Sequence, residues 1–292
     1  MTGQAPATAG ERLGFATLGC PGAPLSEVIG LARRHGCGAV ELRAAEGEIL
    51  HTGMPAGQAE RVGRELASAG LTALAVNSYV RLCAPATPGA GPDDQLDALL
   101  AHVDLAARAG ARAVRVFMND DAPAPGAPGA GPTEGERRAV DRVARAATSA
   151  ARAGVAVLVE THDSHARAGR VAAFLALLDA EVPGHGCGAV WDTAHTWAHG
   201  ERPADSLALL RPWLGYVQIK DIRSPADPVP VPLGTGAYPV GELAAALDAA
   251  GWEGMISLEW ERMWHPELPS LDEALGAARV WAEPLLRPRR SP

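Results

Sequence analysis

VAVLVE (155–160) is a short apolar run of β-type sequence that ends on a glutamate. The same form recurs in GAVWD (188–192), in YVQ leading into IKD (216–221) and in MISLE (255–259). Each run carries a polar residue at its carboxyl end: Glu160, Asp192, Gln218 and Glu259. In a parallel β/α protein the carboxyl ends of the strands converge on one face, so residues far apart in sequence meet there. Two glutamates, an aspartate and an amide make an oxygen-rich set suited to a hard or borderline divalent cation.

Outward from these runs the chain alternates strand-like and helical patterns. Further strand candidates are LGFATL (13–18), AVELR (39–43), LTALAVNSY (71–79) and AVRVFM (113–118), and the later runs extend to VAVLVET (155–161), AVWDTAH (189–195), YVQIKD (216–221) and MISLEWE (255–261). Amphipathic segments lie between them, among them 25–36, 59–70, 93–110, 136–154 and 240–251, with a last one at 271–286. Several end on glycine (RHG, SAG, RAG, DAAG), as helix C-caps do. Eight strand–helix units of similar length predict an α/β (β/α)8 TIM barrel, a single domain over 1–292 with residues 1–11 flexible. A doubly wound sheet fits the alternation, but near-equal units favour closure. The Pro/Gly-rich connections 84–93 and 120–133 follow the third and fourth strands and so fall on the same face as the polar strand ends.

A chain of 292 residues, 47% apolar, can bury a large core as one domain. A net charge of −8 argues against a nucleic-acid surface. No apolar stretch approaches the roughly 18 residues of a membrane span. The scattered cysteines, without a C-x-x-C pair, suggest a reduced cytoplasmic setting. Lys220 is the only lysine, whereas arginine serves everywhere else. A lysine kept against that bias suggests a role for a compact ammonium that a guanidinium cannot fill.

WDTAH (191–195), QIKDIR (218–223), PLGTG (232–236), WEGMISLEWE (252–261) and the opening 14–43 resemble the xylose isomerase-like TIM barrel superfamily, the sugar phosphate isomerase/epimerase family. The resemblance covers nearly the whole chain. It implies a metal site at Glu160, Asp192, Gln218 and Glu259, with Gln218 where histidine is the commoner residue. An amide oxygen in that position moves selectivity toward harder ions. One divalent cation is therefore expected, Mn or Mg first, with Co or Zn as substitutes.

The resemblance further implies a small-molecule polyhydroxy carbonyl substrate, isomerised or epimerised through a cation-stabilised enediolate with Glu160 and Glu259 as acid/bases. His195, in the D-x-x-H pattern, is implied as a substrate contact, and Arg223 follows the K-D pair in the position of a substrate-binding arginine. Lys220, Trp191 and His162 are further candidate substrate contacts, and Glu41 a residue that bonds a ligand or a core arginine from behind. Homo-oligomers are common in the family. A dehydratase of an inosose or dehydroshikimate-type substrate shares the first proton abstraction and is the main alternative; a non-catalytic accessory barrel is the second. A nuclease of the superfamily would need further histidines. The third and fourth strands instead end in Asn77–Ser78 and Met118–Asn119, and no D-x-H follows QIKD.

Overall fold

The computed structural model describes residues 12–121 and 131–286. Residues 1–11, expected to be flexible, and most of the 120–133 connection lie outside the described residues. In chain order the strands are β1 (Leu13–Ala16), β2 (Ala39–Arg43), β3 (Thr72–Arg81), β4 (Ala113–Phe117), β5 (Ala156–Glu160), β6 (Cys187–Asp192), β7 (Leu214–Ile219), β8 (Asp221–Ser224), β9 (Asp227–Val231) and β10 (Ile256–Leu258). The helices are α1 (Leu25–His35), α2 (Ala56–Ser68), α3 (Asp94–Arg108), α4 (Glu134–Ala153), α5 (Ala168–Glu181), α6 (Thr193–Ala198), α7 (Pro203–Leu210), α8 (Val240–Ala249) and α9 (Leu271–Leu286).

Eight strands close into a parallel barrel in the order β1-β10-β7-β6-β5-β4-β3-β2, so the expected TIM barrel is the observed fold. The glycine signals mark helix ends as read: Gly36, Gly70, Gly110, Gly154 and Gly251 all have φ between 65° and 76°, which a Cβ would oppose. At the other end of α4, Thr133 and Glu136 form a reciprocal capping box. Among the described residues no helix is long and apolar enough to cross a membrane, and the four cysteines are free.

Alternation along the strands divides the side chains between two interiors. Residues of one parity, such as Val40, Leu42, Val157, Val159, Val217 and Ile219, pack against the helices. The other parity faces the barrel axis, where Ala39, Ala75, Ala113, Leu158, Val190 and Tyr216 form a separate apolar plug. Tyr216 on β7 donates to Glu41 on β2 at 2.7 Å although the two strands are not neighbours, so this bond crosses the axis. Residues further along the same parity, toward the carboxyl ends, are Glu41, Asn77, Arg115, Glu160, Asp192, Gln218 and Glu259, all buried. The barrel thus changes from apolar to ionic along its axis, and the ionic end is the candidate site.

Two local departures from the sequence reading matter for that site. The run expected to be strand through residue 195 stops at Asp192, because the Asp192 side chain accepts from the N–H groups of Ala194 (2.9 Å) and His195 (3.1 Å) and starts α6. The run expected as one strand through Asp221 breaks at Lys220, and β8 and β9 form an antiparallel hairpin outside the barrel.

Candidate functional site

Glu160, Asp192, Gln218 and Glu259 come from β5, β6, β7 and the end of β10, which are consecutive in the barrel wall. Asp192 and Gln218 are register partners, and Gln218 pairs in turn with Ser257. One carboxylate oxygen each from Glu160, Asp192 and Glu259 fall within 4.8 Å of one another. The cap on α6 uses Asp192 Oδ1, which leaves Oδ2 for the site. The same turn brings His195 Nε2 to 3.5 Å from that oxygen. Glu160 also groups with His162 and His195 at the same spacing.

Two cations sit among these carboxylates. Arg115, which the sequence reading missed, reaches Glu160 Oε2 from β4 at 2.9 Å, both groups buried. Lys220 Nζ lies 2.9 Å from Asp192 Oδ2 and 2.8 Å from Glu259 Oε2, and it also pairs with Glu261. Glu261 was missed as well; it lies two residues beyond Glu259. Burial alone would lower the Lys220 pKa, but these three carboxylates hold it well above the usual lysine value, so the group is an ammonium. Burial and the adjacent Lys220 hold His195, whose Nε2 is 3.2 Å from Nζ, well below the usual value, so its imidazole is neutral. Burial, reinforced by Glu259 against the opposing charge of Arg115, raises Glu160 to about 8.

The donor set fits a hard divalent cation. Glu160 Oε2, Asp192 Oδ2 and Gln218 Oε1 are buried and none has a partner in hydrogen-bond geometry, the nearby cations notwithstanding. Such orphaned oxygens are costly unless something else binds them. The Gln218 amide is oriented by Glu41, whose Oε2 accepts from Gln218 Nε2 (2.8 Å), Asn77 Nδ2 (2.9 Å) and the Tyr216 hydroxyl. Because a carboxylate only accepts, the amide presents its oxygen, the ligating atom, away from Glu41.

The cavity above this floor measures about 340 Å³, and His162, His195, Lys220, Glu160 and Glu259 all line it. Trp191 and Arg223 do not, which corrects their expected roles. Trp191 precedes Asp192 by one residue and so has the opposite parity: it points into the helix layer, fully buried, with its indole N–H on Thr196 Oγ1 at 2.9 Å. Arg223 is thrown outward on β8 and pairs with Asp227 in solvent. Trp264 lines the cavity, and Trp260 is buried. Tyr79 and Phe117, inward-facing at the ends of β3 and β4, were legible from parity but were not singled out.

Asp221 has a different task. Its carboxylate accepts from the N–H groups of Ile222, Gly234, Gly236 and Tyr238, which folds the PLGTG stretch (232–236) onto the hairpin. Amides that could cradle a phosphate are therefore occupied from within, and a Cβ at Gly236 would collide with that carboxylate. Asp221→Ala is expected to cost roughly 3 kcal/mol, since four N–H groups, those of Ile222 and Tyr238 buried, lose a charged acceptor. Hydrogen exchange should then accelerate at residues 234–238; unchanged protection there would remove this role.

A family model described as xylose isomerase-like TIM barrel matches residues 29–282. No protein of curated function matches the sequence. Solved structures match over nearly their whole length. The probable 3-DHS dehydratase AsbF of Bacillus anthracis is 19% identical, covering 93% of this chain and 98% of its own, with a TM-score of 0.70. The IolI protein with a bound zinc atom is 16% identical, covering 94% and 98%, with a TM-score of 0.71. An L-ribulose 3-epimerase is 17% identical, covering 97% and 100%, with a TM-score of 0.69. At these identities the likeness shows the shared fold.

Proposed function

The chain belongs to the xylose isomerase-like TIM barrel family, and on that premise we propose that it is a divalent-cation-dependent isomerase or epimerase of a hydroxy carbonyl compound. The observation that carries this reading is the convergence of Glu160, Asp192 and Glu259 within 4.8 Å, beside an amide whose buried oxygen has no hydrogen-bond partner. Glu160, Asp192, Gln218 and Glu259 would hold the cation, and their all-oxygen donor set favours Mn or Mg over Zn. When bound, the cation supplies polarisation of the substrate carbonyl and charge stabilisation as the adjacent carbon loses its proton.

The protein's own groups do the rest. Glu160 and Glu259 stand at the two ends of the four-strand arc, so a substrate carbon over its middle has a carboxylate on each side, one to take the proton and one to return it. Lys220 holds Glu259 in place. Neutral His195 can bond a substrate oxygen from the rim. Tyr79, Phe117 and Trp264 limit the access of water to the reacting carbon.

The test is metal content by inductively coupled plasma mass spectrometry on protein purified without chelator, beside Glu160→Ala and Glu259→Ala. About one equivalent in the wild type, lost in both variants, is the expected result. Wild-type protein that takes up no metal after incubation with Mn²⁺ would overturn the reading in favour of an accessory barrel. With metal in place, deuterium appearing in recovered substrate without a new enone absorbance supports isomerisation or epimerisation; a new enone would assign the dehydratase.

A further inference from the structure

We infer that the substrate carries its hydroxy carbonyl head on an aryl or comparably planar apolar group, rather than being a free polyhydroxy sugar. This rests on the isomerase reading above and specifies the substrate class for the same cavity. The floor is ionic, but much of the wall is apolar: Leu18 after β1, Phe117 at the end of β4, Ile222, Pro228 and Val229 from the hairpin, and Trp264 from the segment after β10, with His162, His195, His265 and Glu261 also in the lining.

The hairpin is decisive. Asp221 pins its base, and alternation along β8 turns Arg223 out to Asp227 while Ile222, 2% exposed, faces the cavity. A long cationic side chain that could bond hydroxyls is thereby replaced by a branched alkyl one. The Tyr79 hydroxyl and two nearby arginines are already engaged, which leaves chiefly the imidazoles of His162, His195 and His265 to meet hydroxyls. The Tyr79 hydroxyl accepts from Arg43 at 2.7 Å, and the Arg43 guanidinium lies against the Tyr79 and Trp264 rings at 5.4 and 5.5 Å. Arg115 is held by Glu160 and lies over Phe117 at 4.1 Å. A ketohexose carries more hydroxyls than these imidazoles can meet, and those left against the apolar walls lose water without gaining partners, which costs more than the burial gains. An aromatic ring would instead meet Phe117, itself 4.6 Å from the His162 ring, and Trp264.

A cavity of about 340 Å³ accommodates such a molecule. A suitable probe is 2-hydroxy-1-phenylpropan-1-one. Its carbinol C–H breaks, the proton passes to a glutamate and the electron pair forms the C=C bond of an enediol. A proton then returns at the former carbonyl carbon while the carbinol oxygen becomes the carbonyl, giving 1-hydroxy-1-phenylpropan-2-one with no oxidant or reductant consumed.

Binding is measured first, by calorimetric titration of Mn²⁺-loaded protein with this probe, hydroxyacetone and D-fructose; deuterium exchange and isomerisation are then followed by NMR. The phenyl probe is expected to exceed hydroxyacetone in kcat/KM by about 30-fold, the effect of burying one ring, and to exceed D-fructose by at least as much. Phe117→Ala is expected to cut the phenyl-to-hydroxyacetone ratio about tenfold, and Ile222→Asn to shift preference toward D-fructose. D-Fructose handled as well as or better than the phenyl probe would overturn the inference and leave the isomerase reading standing. Tight binding of the phenyl probe without exchange would keep the apolar substrate class and sink the isomerase reading. Failure of all three to bind would overturn both.

Discussion

Lys220→Met is expected to lower the melting temperature of the metal-free protein by about 10 °C, and added Mn²⁺ is expected to restore most of it. Lys220 is 3% exposed and its ammonium is shared by Asp192, Glu259 and Glu261, the first of these fully buried. Removing one partner of a buried ion pair leaves its charge uncompensated, at a cost of about 3–5 kcal/mol. For a domain of this size each kcal/mol moves the melting temperature by roughly 2–4 °C. Methionine retains most of the side-chain volume, so the loss reads as charge and not as a cavity. A divalent cation held by Asp192 and Glu259 would neutralise the same oxygens, and ligand binding to the native state adds stability by mass action. The metal-induced rise measured by differential scanning calorimetry should therefore be larger in the variant than in the wild type. Equal rises would mean that the ammonium and the cation act on different groups, and the proposed ligand set would have to be redrawn.

The persistence of this lysine in an arginine-rich chain was visible in the sequence; its partners were not. Which oxygens it meets depends on β7 ending at Ile219 and on the segment after β10 carrying Glu261 back over the barrel, and neither follows from local pattern. What was legible rests on period and punctuation. The apolar runs, the glycines with positive φ and the polar strand ends specified the barrel and the faces of Glu160, Asp192, Gln218 and Glu259. What was lost rests on parity. Trp191 was grouped with Asp192 by proximity in sequence, although adjacent strand residues face opposite ways. Arg223 was carried over as a substrate contact, whereas the hairpin alternates Ile222 inward and Arg223 outward. The same rule, applied to AVRVF (113–117), would have put Arg115 and Phe117 into the site.

Glu160→Gln is expected to abolish most activity and to flatten the pH dependence of the metal-free protein's stability. Burial, only partly opposed by Arg115, raises the Glu160 carboxyl from 4.5 to about 8 in the folded chain. In the unfolded chain it ionises near the ordinary value, so between these two limits the native state binds the extra proton. The stability this contributes is complete below about 4.5 and is lost as pH rises through about 8. Chemical denaturation of metal-free protein across that window should show wild-type stability falling with pH. Glutamine, which cannot ionise, should remove that slope while preserving the side-chain volume. A cation binds the charged form, so metal uptake expels this proton and apparent affinity should climb by about tenfold per pH unit over the same range. In the metal-loaded enzyme the amide can still donate a hydrogen bond but cannot accept a proton from carbon, and a loss of about 10²–10⁴-fold in kcat is the expected consequence. A wild-type stability that stays level from pH 5 to 8, with the variant indistinguishable from it, would show that Glu160 is ionised throughout. It would then serve as a ligand and ion-pair partner only, leaving Glu259 to move the proton.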